Sequence, residues 1–520
     1  MVVAGHRRLR GPARFGRWRR HAVWAAMLAM VALAVTACSM AGASGDPSLP
    51  HKPYSAKPNI VYVLTDDLDS GLVKFMPHVL ALEQQGMTFT NFSVTDSLCC
   101  PSRASIFTGD FPHNTHVIDN TPPEGGFGAF YAHGDENRTF ATALQAAGYR
   151  TAMMGKYLNA YAVGYNPYNF PTDHVPPGWD QWDVTDNGYV EFNYDLNENH
   201  RLVHYGGAPS DYLTDVISGT GRQFIRDSAS ARKPFFLELA TFSPHWPYVA
   251  APQDRGKFQG LRAPRGPSFG VKPFNAPRWL ADQPPLHHKA IAKLDRIYVK
   301  RVEDVQSVDR MIGAVERTLR QTGQLSNTVF IFNSDNGLHL GQHGLKAGKL
   351  TAFETDIHVP LVVAGPGIPA GSTNPDVVEN IDLAPTFEAL AGARVSPTQD
   401  GRSLVPLLHG AHPTWRTVAL VEHWGPDLSS SDPDAQSYEA GNPPTYKAIR
   451  TSKWTYVRYV TGAREFYNRV TDPYEMDNLA GSLSPARLAQ LNKMTDALAH
   501  CSGMSSCWRA GRPGAPVPTP

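Results

Sequence analysis

Three short stretches of this 520-residue chain carry side chains that could do chemistry together. The first is Asp66-Asp67, the second the run Cys99-Cys100-Pro101-Ser102-Arg103, followed six residues on by Gly109, and the third Asp335-Asn336-Gly337. Adjacent carboxylates repel each other unless a cation holds them. Asp66, Asp67, Asp335 and Asn336 offer hard oxygen donors that suit Ca²⁺ or Mg²⁺. Cys99 beside Arg103 offers a nucleophile next to a fixed positive charge. Each stretch alone has a plainer explanation. Asp and Asn favour turns and helix caps, and a cysteine in an exported protein is commonly buried or disulfide-bonded.

These residues need a scaffold that brings distant segments together. The run from Asn59 to Leu64 is apolar without polar alternation, as in a central parallel strand, and it ends directly in Thr65-Asp66-Asp67. Similar buried strands are expected at Phe235 to Leu239, Val329 to Phe332 and Pro360 to Val363. Helical patterning runs from Met76 to Gln85 (stopped by Gly86), from Thr139 to Ala147 (stopped by Gly148), and from Val299 to Gln321. In the last of these Val302, Val305, Val308, Ile312, Val315 and Leu319 form one buried stripe. Strands alternating with helices imply a layered α/β fold with a mostly parallel sheet, whose site lies beyond the strand carboxyl ends. Asp335 follows one of those strands just as Asp66 follows another. The Pro- and Gly-rich stretch from Ala250 to His288 is expected to be a long loop that shapes a cleft beside the site. After Arg416 the pattern changes to hairpin strands around Thr461-Gly462 and a helix from Pro485 to His500, a small α+β subdomain.

Seven arginines and no acids occupy the first twenty residues, and an apolar run from Ala22 to Val35 follows. This is an export signal, and Val35-Thr36-Ala37-Cys38 is similar to a bacterial lipobox in which Cys38 is lipidated. The alternatives are a plain secretory signal and an uncleaved anchor. All three place the body outside the cytoplasm, and an acylated Cys38 would tether it to a membrane through its N-terminal end alone. Paired arginines at 7–8 and 19–20 also raise a twin-arginine route, although their flanks fit it poorly. Without the leader arginines the formal charge of +1 becomes about −6, which gives no reason to propose nucleic-acid binding. The resulting division is a signal over residues 1–38, a linker over 39–57, a catalytic domain over 58–415, a C-terminal subdomain over 416–507 and a disordered tail over 508–520. Of the five cysteines, Cys501 and Cys507 are spaced to close a short loop as a disulfide, and a bridge between Cys99 and Cys100 would be strained.

The string Cys99-x-Pro101-Ser102-Arg103 with Gly109 resembles the signature of the type I sulfatases. The resemblance implies an alkaline-phosphatase-like fold and the oxidation of Cys99 to formylglycine (3-oxoalanine) by a formylglycine-generating enzyme. The hydrated aldehyde has a second hydroxyl that can expel sulfate after attack, an exit a thiolate lacks. The resemblance further implies a divalent metal, usually Ca²⁺, held by Asp66, Asp67, Asp335 and Asn336 and touched by residue 99. It implies catalytic roles for Arg103, which orients the hydrate, and for Lys156 of Gly155-Lys156. Lys349, which precedes Phe353-Glu354, and His245 of Ser243-Pro244-His245 are implied to bind sulfate and to protonate the departing alcohol. The sequence departs from the family pattern at Gly155-Lys156-Tyr157-Leu158-Asn159, where no histidine follows the lysine by two residues; His339 and His343 are candidate bases in its stead.

Several strings resemble the branch that holds N-acetylglucosamine-6-sulfatase and the extracellular heparan endosulfatases. They are Gly155 to Asn159, Val175-Pro176-Pro177-Gly178-Trp179-Asp180, Asp211 to Asp215, Asp335 to Gln342 and Cys501-Ser502-Gly503. A sulfated carbohydrate is the implied substrate, with Trp179, Trp182 and Trp246 as candidates to stack on sugar rings. Two alternatives stay open at this point. One is a phosphomonoester or phosphodiester hydrolase of the same superfamily. The other is a surface lipoprotein that binds anionic glycans without catalysis.

Overall fold

The computed structural model describes residues 57–161, 163, 171–426, 432 and 435–512. The expected signal, Cys38 and all but the last residue of the linker lie outside the described residues, as do residues 513–520. No helix among the described residues is long and apolar enough to cross a membrane.

A ten-stranded sheet forms the centre. In chain order its strands are Asn59–Thr65 (β1), Gly86–Phe89 (β2), Arg150–Lys156 (β3), Gln181–Thr185 (β4), Tyr194–Glu198 (β5), Arg201–Tyr205 (β6), Phe235–Ala240 (β7), Thr328–Ser334 (β8), Leu361–Ala364 (β9) and Ser372–Asn374 (β10). Their order in space is β10-β2-β9-β8-β1-β7-β3-β4-β5-β6. The central run β8-β1-β7-β3-β4 is parallel throughout. Antiparallel pairing sets in where β9 meets β8 and β2, and where β5 meets β4 and β6. Every residue of β1, β7 and β8 is buried, which explains their lack of polar alternation; the run of β7 is broken only by the buried Glu238.

Helices cover both faces. Ile60, Tyr62 and Leu64 of β1 pack with the helices Cys99–Thr108 (α2), Phe140–Ala146 (α3) and Leu383–Ala391 (α6). Val61 and Val63 pack with Pro77–Gln85 (α1), Leu213–Ala231 (α4) and His288–Gln321 (α5). A four-stranded antiparallel sheet follows: Ala419–His423 (β11), Tyr446–Arg450 (β12), Trp454–Tyr459 (β13) and Arg464–Asn468 (β14), with the helices Pro485–Ala499 (α7) and Met504–Ala510 (α8). Cys501 and Cys507 form the expected disulfide.

Three expectations change in detail. Helix α5 begins at His288 rather than Val299. Its first turns bury only Ala290, Leu294, Ile297 and Tyr298 and expose cations between them, so the valine stripe begins later than the helix. The stretch from Ala250 to His288 is an ordered connection with a short helix, Arg278–Ala281. It is pinned by Gly270 N–H to the Gly341 carbonyl (2.8 Å) and by Phe274 N–H to the Met476 carbonyl (2.7 Å). Residues 508–510, expected in a disordered tail, belong to α8, where Trp508 packs edge-on against Trp415 at 5.3 Å.

Candidate active site

The parallel strands deliver their carboxyl ends to one place, as the topology demands. Asp66 and Asp67 follow β1, Lys156 is the last residue of β3, His245 lies five residues beyond β7, and Asp335 and Asn336 follow β8. Cys99 opens α2. Pro101 sits in the first turn, where a missing N–H costs nothing. Gly109 closes the helix with φ 78°, and its N–H bonds the Ser105 carbonyl. The spacing from Cys99 to Gly109 is thus the length of one helix, and every residue of it is buried. Gly155 has φ 101°, and a Cβ there would meet the Ala240 carbonyl oxygen at 1.9 Å, so only glycine lets β3 turn Lys156 inward beside β7.

The expected residues converge. Ligand atoms of Asp66, Asp67, Cys99 and His245 all lie within 4.8 Å of one another. The Cys99 thiol donates to Asp66 Oδ1 at 3.2 Å. Lys349 Nζ lies 2.7 Å from Asp67 Oδ1 and 2.8 Å from Cys99 Sγ. Lys156 Nζ lies 2.5 Å from Asp66 Oδ2 and 5.0 Å from the ring centre of Tyr189. Asp335 lies behind this group. Its Oδ2 accepts from Arg103 Nε at 2.7 Å, and its Oδ1 accepts the backbone N–H groups of Asn336 (2.7 Å) and Asp67 (3.2 Å). Arg103 also donates to the Lys156 carbonyl at 2.9 Å, so it ties α2 to the ends of β8 and β3. All of these residues are buried except Tyr189, which is half-buried.

Electrostatics follow from burial and crowding. Burial opposes ionisation of Asp66, but Lys156 foremost, then His245, Arg103 and Lys349, outweigh it and hold the carboxyl well below the ordinary range. Burial also opposes the charge on Arg103, yet Asp335 and Asp66 keep the guanidinium firmly protonated. Asp335 is pushed up to about 7, by burial and then by the charge of Asp66, against the pull of Arg103. A divalent cation fits the donor set. Asn336 Nδ2 donates to Asp67 Oδ1 at 2.6 Å, while the buried Asn336 Oδ1 has no hydrogen-bond partner among the described residues. A buried carbonyl oxygen without a partner is costly, and a metal ion would satisfy it.

His245 has a defined proton. Its Nδ1 lies 2.6 Å from the Trp246 carbonyl, which can only accept, so Nδ1 carries a hydrogen and Nε2 faces Asp67 Oδ2 at 3.6 Å. Cys100 points the other way, into the core, where burial pushes its thiol up to about 12. The two adjacent cysteines therefore differ completely in environment, and Cys99 alone meets the acids and lysines.

The candidate bases do not join this group. Both ring nitrogens of His339 are engaged, Nδ1 by Asp356 and Nε2 by the Ala440 carbonyl at 2.9 Å. His343 stacks on Phe353 at 3.6 Å and contacts the Tyr474 carbonyl, and burial lowers its proton affinity to about 4. Trp179 and Trp182 are core residues packed against each other at 5.8 Å, which removes them as sugar platforms. Trp246 is 57% exposed. It lines a cleft of about 730 Å³ that opens onto Asp67 and His245.

Sequence reasoning missed Tyr189, whose ring lies between Lys156 and His245, 4.8 Å from the imidazole. It also missed Arg301 of α5. This arginine donates to the Asp67 carbonyl at 2.7 Å, to Asp69 Oδ2 at 2.8 Å and to the Pro244 carbonyl at 3.4 Å. Asp67 has φ 62°, a left-handed conformation that the Arg301 contact helps hold. Asp69 serves Arg301 and stands outside the acid cluster. No motif marks Tyr189 or Arg301; only the buried stripe of α5 hinted that its inner face approaches the strand ends.

The sheet, its flanking helices and the charged group at its carboxyl edge define an alkaline-phosphatase-like hydrolase fold. A solved structure of a protein in complex with its substrate D-glucosamine-2-N,6-O-disulfate superimposes with TM-score 0.71 at 23% identity, covering 85% of this chain and 97% of that one. A phosphonate monoester hydrolase from Silicibacter pomeroyi does so with TM-score 0.64 at 20% identity, covering 85% and 94%. The family is shown by sequence. Residues 58–393 match the sulfatase family model, and residues 341–501 match that of the N-sulphoglucosamine sulphohydrolase C-terminal region. The chain belongs to the sulfatase family, the sulfuric ester hydrolases. It is 37% identical over 476 residues to N-acetylglucosamine-6-sulfatase of Homo sapiens, covering 86% of this chain and 85% of that protein.

Proposed function

We propose that this enzyme hydrolyses sulfate monoesters of a sulfated carbohydrate, using formylglycine at position 99 and a divalent cation. The observation that carries the reading is the placement of Cys99. It lies on the first turn of a buried helix, within hydrogen-bond reach of Asp66 and Lys349, while Cys100 is turned into the core. Similarity to N-acetylglucosamine-6-sulfatase and to a glucosamine disulfate complex points to a sulfated glucosamine as the substrate unit.

Asp66, Asp67, Asp335 and Asn336 would hold Ca²⁺ (or Mg²⁺), which would polarise the ester oxygens and favour the ionised form of the aldehyde hydrate. The residues of the chain do the rest. Lys156 and Lys349 bring fixed positive charge to the sulfate oxygens from two sides of residue 99, in a site where burial strengthens each interaction. Arg103 positions Asp335 and the end of β3. His245 presents Nε2 to the cleft while Nδ1–H is held by the Trp246 carbonyl; in its imidazolium form, beside the Asp67 carboxylate, Nε2 carries the proton that it would give to the departing sugar oxygen, leaving the neutral Nδ1–H tautomer. The body is exported, as the disulfide supports, with Cys38 as the lipid anchor and a formylglycine-generating enzyme required before folding closes the site.

Mass spectrometry of the peptide spanning Cys99 tests the chemistry. The aldehyde is expected; an intact thiol in active-site peptides from the native host would return the protein to the glycan-binding alternative. Turnover of matched aryl sulfate and aryl phosphate tests the reaction class. The phosphonate hydrolase likeness makes phosphate esters the second reading, and it would be favoured by faster turnover of the phosphate.

A further inference from the structure

The wall of the cleft carries charge that the hydrolysis of a single sulfate does not use. Helix α5 presents Lys289, Lys293, Arg296 and Lys300 at steps of four, three and four residues, so they lie along one face. All four are exposed, while Ala290, Leu294 and Ile297 on the adjoining flank and Tyr298 opposite are buried and anchor the helix. Lys293, Arg296 and Lys300 line the same cleft as Asp67 and His245. Lys289, Lys293 and Arg296 continue into an adjoining recess of about 300 Å³, which Lys346 also borders. Among the described residues, none of the four forms an ion pair. The nearby acids are already engaged: Asp295 with Arg265 and the Ala263 N–H, Glu303 with the Gly256 N–H, and Glu439 with Lys346.

A row of cations is ordinarily a solvated helix face. Two facts argue otherwise here. The body of the chain is net acidic once the arginine-rich leader is set aside, so unneutralised positive charge concentrated on one cleft wall makes a local field of the opposite sign. The row also starts at the reaction centre and runs away from it, with the 57% exposed Trp246 ring beside His245 in the same cleft. An aromatic face with cations spaced along a groove matches a sugar chain that bears anionic groups on successive units.

Resting on the sulfatase reading for the reacting sulfate, we propose that Lys293, Arg296 and Lys300 form a second anion subsite. It would bind a further sulfate or carboxylate on the sugar adjoining the one that is cut, so that the enzyme selects a polyanionic oligosaccharide over a singly sulfated monosaccharide.

The test uses the full-length protein with Lys293, Arg296 and Lys300 all replaced by Gln, and a variant carrying Arg296→Gln alone in case the triple variant folds poorly. The probes are a heparin-derived hexasaccharide and glucosamine 6-sulfate. Affinity is read by calorimetry, and kcat/KM by sulfate release. The ratio of hexasaccharide to monosaccharide affinity should fall by about tenfold in the triple variant and about threefold in Arg296→Gln, and the salt dependence of hexasaccharide binding should weaken. Equal losses on both probes, or an unchanged ratio, overturn the subsite. Sulfate release by the wild-type protein with an unchanged ratio removes the subsite and leaves the sulfatase reading. No sulfate release, with hexasaccharide affinity still lost in the variants, removes that reading and leaves the subsite.

Discussion

The role given to His245 can be tested by His245→Gln. Nδ1 is committed to the Trp246 carbonyl at 2.6 Å, so only Nε2 can pass a proton to a leaving group in the cleft. Glutamine keeps polar contacts but cannot transfer that proton. A positioned general acid contributes about 10²–10⁴-fold. Lys349, 2.8 Å from Cys99 Sγ, is a second proton-bearing group in the same site, so the loss belongs in the lower part of that range. We expect kcat on glucosamine 6-sulfate to fall by about 10²–10³-fold, or roughly 3–4 kcal/mol at 1.36 kcal/mol per decade. A nitrophenolate leaves without needing a proton, so turnover of 4-nitrophenyl sulfate should fall by less than about tenfold. The assay compares both substrates on wild type and variant, with formylglycine and metal content measured in each preparation. Equal losses on the two substrates, or a loss below about tenfold on the sugar ester, would refute proton donation by His245.

Three further outcomes follow from the same geometry. Cys99→Ala should lower turnover by at least about 10³-fold while the circular dichroism spectrum stays that of the wild type, because α2 keeps its Gly109 cap and its core contacts. Chelation with EDTA should abolish sulfate release and lower Tm, and Ca²⁺ at about 100 times its Kd should restore about 2.7 kcal/mol of stability; a Tm insensitive to chelator would argue against a metal on the Asp66 cluster. Burial raises the carboxyl groups of Asp304 and Glu191 to about 7 and about 8. The folded state therefore holds protons that the unfolded chain has released, and stability should fall as pH rises from about 4 towards 8, by about 1.36 kcal/mol per pH unit for each such proton. Asp304→Asn should flatten that fall in urea titrations, and parallel wild-type and variant profiles would show that Asp304 is not protonated in the fold.

The central strands were legible because burial on both faces erases alternation, as in Asn59 to Leu64, and because a carboxylate pair stands where β1 ends. The same logic located Asp335 after β8. Helix α2 was invisible to periodicity for a physical reason. It is buried all round, yet it carries Ser102 and Arg103, whose polar groups are met by the Asp335 carbonyl and by the Asp335 carboxylate rather than by water. No apolar stripe can mark such a helix, and its residues were recognised only through a motif. The first turns of α5 were missed for the opposite reason: their exposed face is so basic that Lys289 to Lys300 resembled the polar loop before them. The site's lysines carry no signal of their own. Lys349 reaches Asp67 across 282 residues of chain, and only the family pattern anticipated that contact.

Helix α5 explains why these distant pieces hold one geometry. Arg301 bridges the carbonyls of Asp67 and Pro244, so it fixes the Asp66-Asp67 loop and the His245 loop to a single rigid element. One turn on, the Ser243 hydroxyl oxygen lies 2.7 Å from Asp304 Oδ1 and 3.1 Å from Glu191 Oε1. A hydroxyl has one proton, so it cannot satisfy two carboxylates at once unless one of them is itself protonated, which is what their burial enforces. The acid proposed to hold the cation and the imidazole proposed to move a proton therefore share one support. The exposed face of that same helix forms the cleft wall, so the orientation of α5 sets both the spacing of the reacting groups and the position of the cations that a longer anionic substrate would meet.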